Sequence, residues 1–162
     1  MDIRKTRNPA DPGWLELRSE FMPEATSGEH RRFLAGLACE SVGFCAFIAS
    51  AEKPENGGGD SLMGFVEVAV RRDFVNGCKH RPALFLEGIF VRPEHRGKGV
   101  ARALCDMAGA WGAEHGCREF ASDVYIDDRD SLAAHRGLGF EETERVVYFR
   151  KSLVGPERPG ME

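Results

Sequence analysis

The sequence predicts an α/β fold of the α+β kind: a central mixed β-sheet with helices on both faces. Three observations predict it. Apolar runs of strand character interleave with segments of helical periodicity, but not as strict βαβ units. The run Ala83–Val91, "ALFLEGIFV", is apolar almost throughout, as a central strand buried on both faces is. It leads straight into "RPEHRGKGVARAL", where two glycines among basic residues stand just before an apolar helical pattern.

Each element has its own local reason. Met1–Lys5 reads as a short opening strand. Asp11-Pro12 reads as an N-cap followed by proline at the first helical position, opening a helix that carries Trp14, Leu15, Leu17 and Phe21 and that Pro23 stops. Thr26–Glu29, "TSGE", has capping-box spacing, and Phe33, Leu34 and Leu37 give the following helix its apolar face. Gly43–Ser50 and Ser61–Arg71 read as strands joined by the polar, glycine-rich hairpin loop "AEKPENGGGD". A long connection with a turn at Asn76-Gly77 then reaches Ala83–Val91. Val100–Glu114 is a helix with Leu104, Met107, Ala108 and Trp111 on one side. Arg118–Tyr125 is a further strand, "DSLAAHRGLGF" a short helix ending at Gly137 or Gly139, and "ERVVYFRKSL" a closing strand. Residues 1–153 form one domain, and the tail 154–162, which has no core-forming pattern, is expected to be disordered.

Composition excludes several classes. No apolar run approaches the roughly 20 residues of a membrane-spanning helix, and "MDIRKTRNPADPG" is not a signal peptide. Five cysteines (Cys39, Cys45, Cys78, Cys105, Cys117) form no CxxC pair, so they read as reduced thiols of a cytoplasmic protein. The five histidines lack ligand spacing, so no metal is expected. A net charge of −4 disfavours nucleic acid and is compatible with a cationic substrate. No membrane partner is expected either.

The glycine junction is neither a Walker loop, since GxxxxGK[ST] is absent, nor a dinucleotide fingerprint, since no GxGxxG follows an early strand. What remains is a strand, a proline turn and Arg96-Gly97-Lys98-Gly99-Val100-Ala101 at a helix start. The first N–H groups of a helix have no intrahelical partner, and the helix dipole adds partial positive charge there. Glycines let a bulky anion approach those groups, and Arg and Lys add charge for a polyphosphate. The residues alone also allow a plain strand–helix turn with solvated basic side chains.

With R-x-x-G-x-A following a strand that ends V-x-P, the junction resembles the coenzyme A motif of the GCN5-related N-acetyltransferases. "DSLAAHRGLGFEE" resembles their last helix and the step after it. More narrowly, "DFVNGC", "FLEGIFVRPEHRGKGVARAL", "GCREFASD" and "LGFEETERVVYFRK" resemble aminoglycoside 6′-N-acetyltransferases, and the resemblance runs from "MDIR" to about Leu153. It implies that fold, with a splayed sheet, and direct transfer from acetyl-CoA to the 6′-amino group of an aminoglycoside antibiotic in a ternary complex, which is an antibiotic-resistance activity. The alternatives are another small cationic amine, such as a polyamine or amino sugar, and a coenzyme A-binding module without turnover.

By the same resemblance, Ile89, Phe90 and Val91 bind acetyl-CoA through the backbone, and Gly97, Lys98, Gly99, Val100, Ala101 and Arg102 hold its pyrophosphate. Asp128 stands where relatives place an Asn on the cofactor arm; its other reading is a helix cap. Glu87, Asp123 and Glu144 match carboxylates that hold the aminoglycoside, although Glu87 inside "FLEGIF" also reads as a buried partner of an Arg. Met22 replaces the Trp of a Trp–Pro step framing the sugar, Ala25 stands near the place of a His, and Phe74 replaces a Tyr. Asp123 is the expected general base, with Glu87 second, and a strand amide near Phe90 or Val91 the expected oxyanion donor. His135, in the place of a helix Tyr, is the expected general acid, or else a packing residue. No cysteine aligns with a nucleophile, and the family implies a homodimer to which "RVVYF" contributes.

Overall fold

The structure, a computed structural model, describes residues 1–40, 43–51 and 61–153, without the side chains of 37–40. The expected glycine-rich loop from residue 52 to 60, the thiol of Cys39, the side chain of Leu37 and the tail 154–162 lie outside the described residues.

Strands β1 (Asp2–Thr6), β2 (Phe44–Ser50), β3 (Leu62–Arg71), β4 (Ala83–Val91) and β5 (Phe120–Ala121) lie side by side in that order. The first three pairings are antiparallel and the β4–β5 pairing is parallel, so the sheet is mixed as expected. Its middle strands are buried on both faces because helices cover both. Trp14, Leu17 and Leu34 of α1 (Pro12–Phe21) and α2 (Ser27–Glu40) pack against Phe44, Ala46, Ile48 and Phe65. On the other face Val100, Leu104, Ala108 and Trp111 of α3 (Val100–Glu114) pack against Phe47, Val66, Val68 and Leu84. The last helix, α4 (Arg129–Leu138), ends at Gly139, whose φ of 96° is left-handed.

The caps form as the sequence proposes. Asp11 accepts from the Gly13 and Trp14 amides, both at 3.1 Å, while Arg4 grips its carboxylate at 2.5 and 2.8 Å. That hydrogen-bonded guanidinium, opposed by burial and helped by the Trp14 amide, holds the Asp11 carboxyl down at about 2. At α2, Thr26 Oγ1 accepts from the Glu29 amide at 3.3 Å and Glu29 Oε2 accepts from the Thr26 amide at 2.7 Å, completing the box. Phe33 and Met107 correct the expected apolar faces: both are nearly half exposed, and Phe33 lies under the Arg18 guanidinium, which is 4.4 Å from its ring centre.

Two expectations fail near the C-terminus. The strand expected over Arg118–Tyr125 pairs only through Phe120 and Ala121. "ERVVYFRKSL" is not a strand here, and Val147, Tyr148 and Phe149 are 77, 78 and 92% exposed. Alternating β-branched and aromatic residues record fitness for a neighbouring strand. Among the described residues no strand lies beside this segment.

Candidate active site

The glycine junction is open. Arg96 Nε donates to the Val91 carbonyl at 2.9 Å and closes the turn after β4. Gly97 and Gly99 have φ of 70° and 82°, a left-handed backbone that side chains rarely adopt. A Cβ at either would meet nothing within 4 Å, so it is backbone conformation rather than crowding that calls for glycine. Gly99 caps α3 without a side-chain hydrogen bond, which leaves the Val100, Ala101 and Arg102 amides for an outside acceptor. Lys98 is exposed beside them, whereas Val100 is buried and Ala101 packs on the core, so both offer only backbone. The Arg102 guanidinium donates instead to the Gly137 carbonyl at 2.6 Å, tying α3 to the end of α4.

The sheet opens beside that turn. Glu67 pairs with Gly88 and Val68 with Leu86, so Glu87 is the extra residue of a bulge in β4. On the other side β4 and β5 pair only at Leu84–Phe120 and Phe85–Ala121. Beyond that last rung the β4 stretch Leu86–Val91 has no partner from β5. A 280 Å³ cavity occupies the gap, lined by Glu87 and Ile89 of β4, by Ser122 and Asp123 just past β5, and by His135 of α4. Arg71, Phe21 and the neighbouring β4 residues Phe85, Leu86 and Gly88 form the rest of its wall. Asp123 is exposed and makes no hydrogen bond or ion pair among the described residues.

A second cavity, of 580 Å³, shares Phe21 and Glu87 with the first and extends between α1 and α2 past Met22, Ala25, Glu24 and Glu29. At its floor Glu67 accepts from the Trp14 indole at 2.7 Å and from the Arg18 guanidinium. Glu67 is 1% exposed, and burial pushes its carboxyl up against the opposing pull of Arg18 and Trp14. Glu87 accepts from Arg71 at 3.0 and 3.2 Å, the arginine partnership that the sequence left open.

The structure thus brings Glu87, Ile89, Asp123 and His135 together, and sets Met22 in the adjoining cavity. It does not bring in Phe74, which is 68% exposed, or Glu144, and neither lines either cavity. Glu144 stands apart because the segment expected to carry it in as a strand does not pair. Phe90 packs in the core beside Phe65, and Val91 is buried. The Asp128 side chain accepts from the Ser131 amide at 2.9 Å and caps α4. Sequence reasoning missed Ser122, Arg71, Phe21 and Glu67 as site residues. Glu67 carried a signal: a lone carboxylate within the apolar "LMGFVEVAV" demands a partner. No group of three metal-ligating side chains occurs among the described residues, and no helix among them is long and apolar enough to cross a membrane.

The sequence pattern of the acetyltransferase (GNAT) family matches residues 12–140. The chain belongs to that family. Among curated proteins, this acetyltransferase is 47% identical over 156 residues to an aminoglycoside N(6′)-acetyltransferase type 1 of Acinetobacter genomosp. 13, covering 94% of this chain and 99% of the relative. It is 42% identical to the protein of that name from Stenotrophomonas maltophilia, covering 90% of each. Among solved structures it is similar to AAC(6′)-Iy in complex with the bisubstrate analog CoA-S-monomethyl-acetylneamine, with a TM-score of 0.81 and 37% identity over 93% of this chain and 97% of that one. It is also similar to the apo 6′-N-acetyltransferase AAC(6′)-IG of Acinetobacter haemolyticus, with a TM-score of 0.82 and 34% identity over 95% and 100%.

Proposed function

We propose that this acetyltransferase moves the acetyl group of acetyl-CoA to the 6′-amino group of aminoglycoside antibiotics, directly and within a ternary complex. One observation carries the reading: an open, amide-lined glycine turn leads into a gap in the sheet, and the gap meets a carboxylate-lined cavity at Glu87. The names of the relatives above support the same reaction and the same acceptor.

The residues present fit the cosubstrate. Gly97, Lys98 and Gly99 with the Val100, Ala101 and Arg102 amides would hold a diphosphate, since no side chain fills the approach. The unpaired stretch through Ile89, Phe90 and Val91 would bind the pantetheine arm as an added strand does. Bound there, acetyl-CoA supplies an acetyl group activated as a thioester. Asp128 is better placed in this scheme as the α4 cap than as a cofactor contact.

On the acceptor side, Phe21 and Met22 wall the sugar, and Glu87 and the neighbouring carboxylates attract its ammonium groups. Asp123, uncommitted and exposed, takes the proton that the amine must lose. His135 is the acid on the thiol side. Phe74 and Glu144 have no part in the site of a single protomer. The exposed Val147, Tyr148 and Phe149 supply an apolar surface for a homodimer, and Glu144 lies on the same segment. We place the enzyme in the cytoplasm, where acetyl-CoA is available.

The test is the product. Mass spectrometry with NMR should find one acetyl group, on the 6′-nitrogen, and 6′-hydroxyl analogues should turn over poorly because the pocket sets one amine beside the thioester. An acetyl group on a different ring would overturn the assignment.

A further inference from the structure

We propose that Ser122 is a catalytic proton relay, its hydroxyl passing a proton from His135 to the departing thiolate; this rests on the transfer proposed above. His135 Nδ1 lies 2.7 Å from the Ser131 carbonyl oxygen. A carbonyl only accepts, so Nδ1 carries hydrogen whether the ring is neutral or charged. Nε2 is therefore the nitrogen that gains and loses a proton, and it lies 2.9 Å from Ser122 Oγ. The ring is fixed in that pose by Phe140, 5.3 Å away between centres, which in turn packs on Phe120 of β5 at 5.2 Å.

Ser122 follows Ala121, the last β5 residue paired to β4, and so stands where the two strands part. Ser122, His135, Asp123 and Ile89 line the same cavity, and the Ser122 hydroxyl is the hydrogen-bond partner of Nε2 there among the described residues. The step balances. As the C–S bond breaks, the hydroxyl proton forms the S–H bond, Nε2–H of the imidazolium replaces it on Oγ, and the ring is left neutral for solvent to recharge. A hydroxyl suits this position because it donates and accepts at once.

The experiment compares Ser122→Ala, Ser122→Thr and the unaltered enzyme. In the enzyme free of substrates, nitrogen NMR of His135 should show Nδ1 protonated and Nε2 as the titrating atom. Ser122→Ala should shift the Nε2 signal and leave Nδ1 in place. With acetyl-CoA and an aminoglycoside, Ser122→Ala should lower kcat by at least about 10²-fold with both KM values kept, and Ser122→Thr should recover most of the loss. Rate against deuterium fraction should be bowed for the unaltered enzyme, two protons moving together, and straight for Ser122→Ala. Unchanged kcat in Ser122→Ala, or no recovery with threonine, overturns the relay alone. An acetylated Ser122 in mass spectra would make it a nucleophile and overturns the relay too. An unaltered enzyme that acetylates no aminoglycoside overturns the relay together with the proposed function.

Discussion

Glu87 holds the Arg71 guanidinium through both carboxylate oxygens, at 3.0 and 3.2 Å, and that guanidinium lies 3.3 Å from the centre of the Phe85 ring. Glu87 is the extra residue of the β4 bulge and the residue common to both cavities with Phe21. A carboxylate inside the cleft is thus already matched by a cation, and an ammonium bound as proposed would have to share it.

Arg71→Ala should therefore strengthen acceptor binding. Removing a half-exposed competitor is worth at most about 1 kcal/mol, so KM for the aminoglycoside should fall by roughly 2- to 5-fold while kcat stays within about 2-fold. Screening weakens such effects, and the gain should shrink at high salt. Steady-state kinetics at two ionic strengths check it, and a raised KM would mean that Arg71 supports the cleft wall instead of competing for it.

Gly99→Glu should abolish coenzyme A binding. The new side chain would enter the open approach to the α3 amides and set a negative charge where a diphosphate is expected. The left-handed φ of 82° adds a strain of about 1–3 kcal/mol, too little to unfold the chain unaided. Calorimetric titration on a variant with intact circular dichroism is the measurement. Retained affinity would remove the cradle.

Acid should reveal the Arg4–Asp11 grip. The folded carboxyl sits at about 2, below its ordinary 3.8, so the pair stabilises the fold fully above about pH 4. That contribution, about 2 kcal/mol for the shift, is lost as pH falls through about 2. Asp11→Asn, which still caps α1 through its amide oxygen, should be less stable by up to this amount at neutral pH, and the gap should close toward pH 2. Urea titrations across that range test it.

The sheet, the first three helices and the open glycine turn are legible because each is written in neighbouring residues: Asp11-Pro12, Thr26–Glu29, and the apolar run into Gly97 and Gly99. Asp123 and His135 entered through motif resemblance, and the structure puts both on one cavity. Ser122 and Arg71 were invisible because their roles depend on partners 13 and 16 residues away. Glu67 was readable in principle, but its partner Arg18 lies 49 residues away and nothing local named it. The expected closing strand does not form here because strand propensity states what a segment can pair with, and among the described residues no partner strand lies beside it. Glu144 lies on the same segment and lines neither cavity.

Asp123 and Glu87 are both candidates for the base, and their surroundings separate them. Glu87 is tied to Arg71, while Asp123 stands exposed on the same cavity with no hydrogen bond or ion pair among the described residues. Both Glu87 oxygens already accept from the Arg71 guanidinium, which leaves less lone-pair capacity for an amine proton. Asp123→Asn keeps the shape and removes the proton acceptor. A base acts in the transition state, so kcat should fall by at least about 10²-fold at neutral pH with KM little changed. Raising the pH should restore part of the rate, since more of the amine then arrives already deprotonated. Glu87→Gln should do the reverse, raising KM and sparing kcat. If Asp123→Asn instead shows normal kcat and a raised KM, Asp123 is an anchor, and the proton must leave through Glu87 or a chain of water.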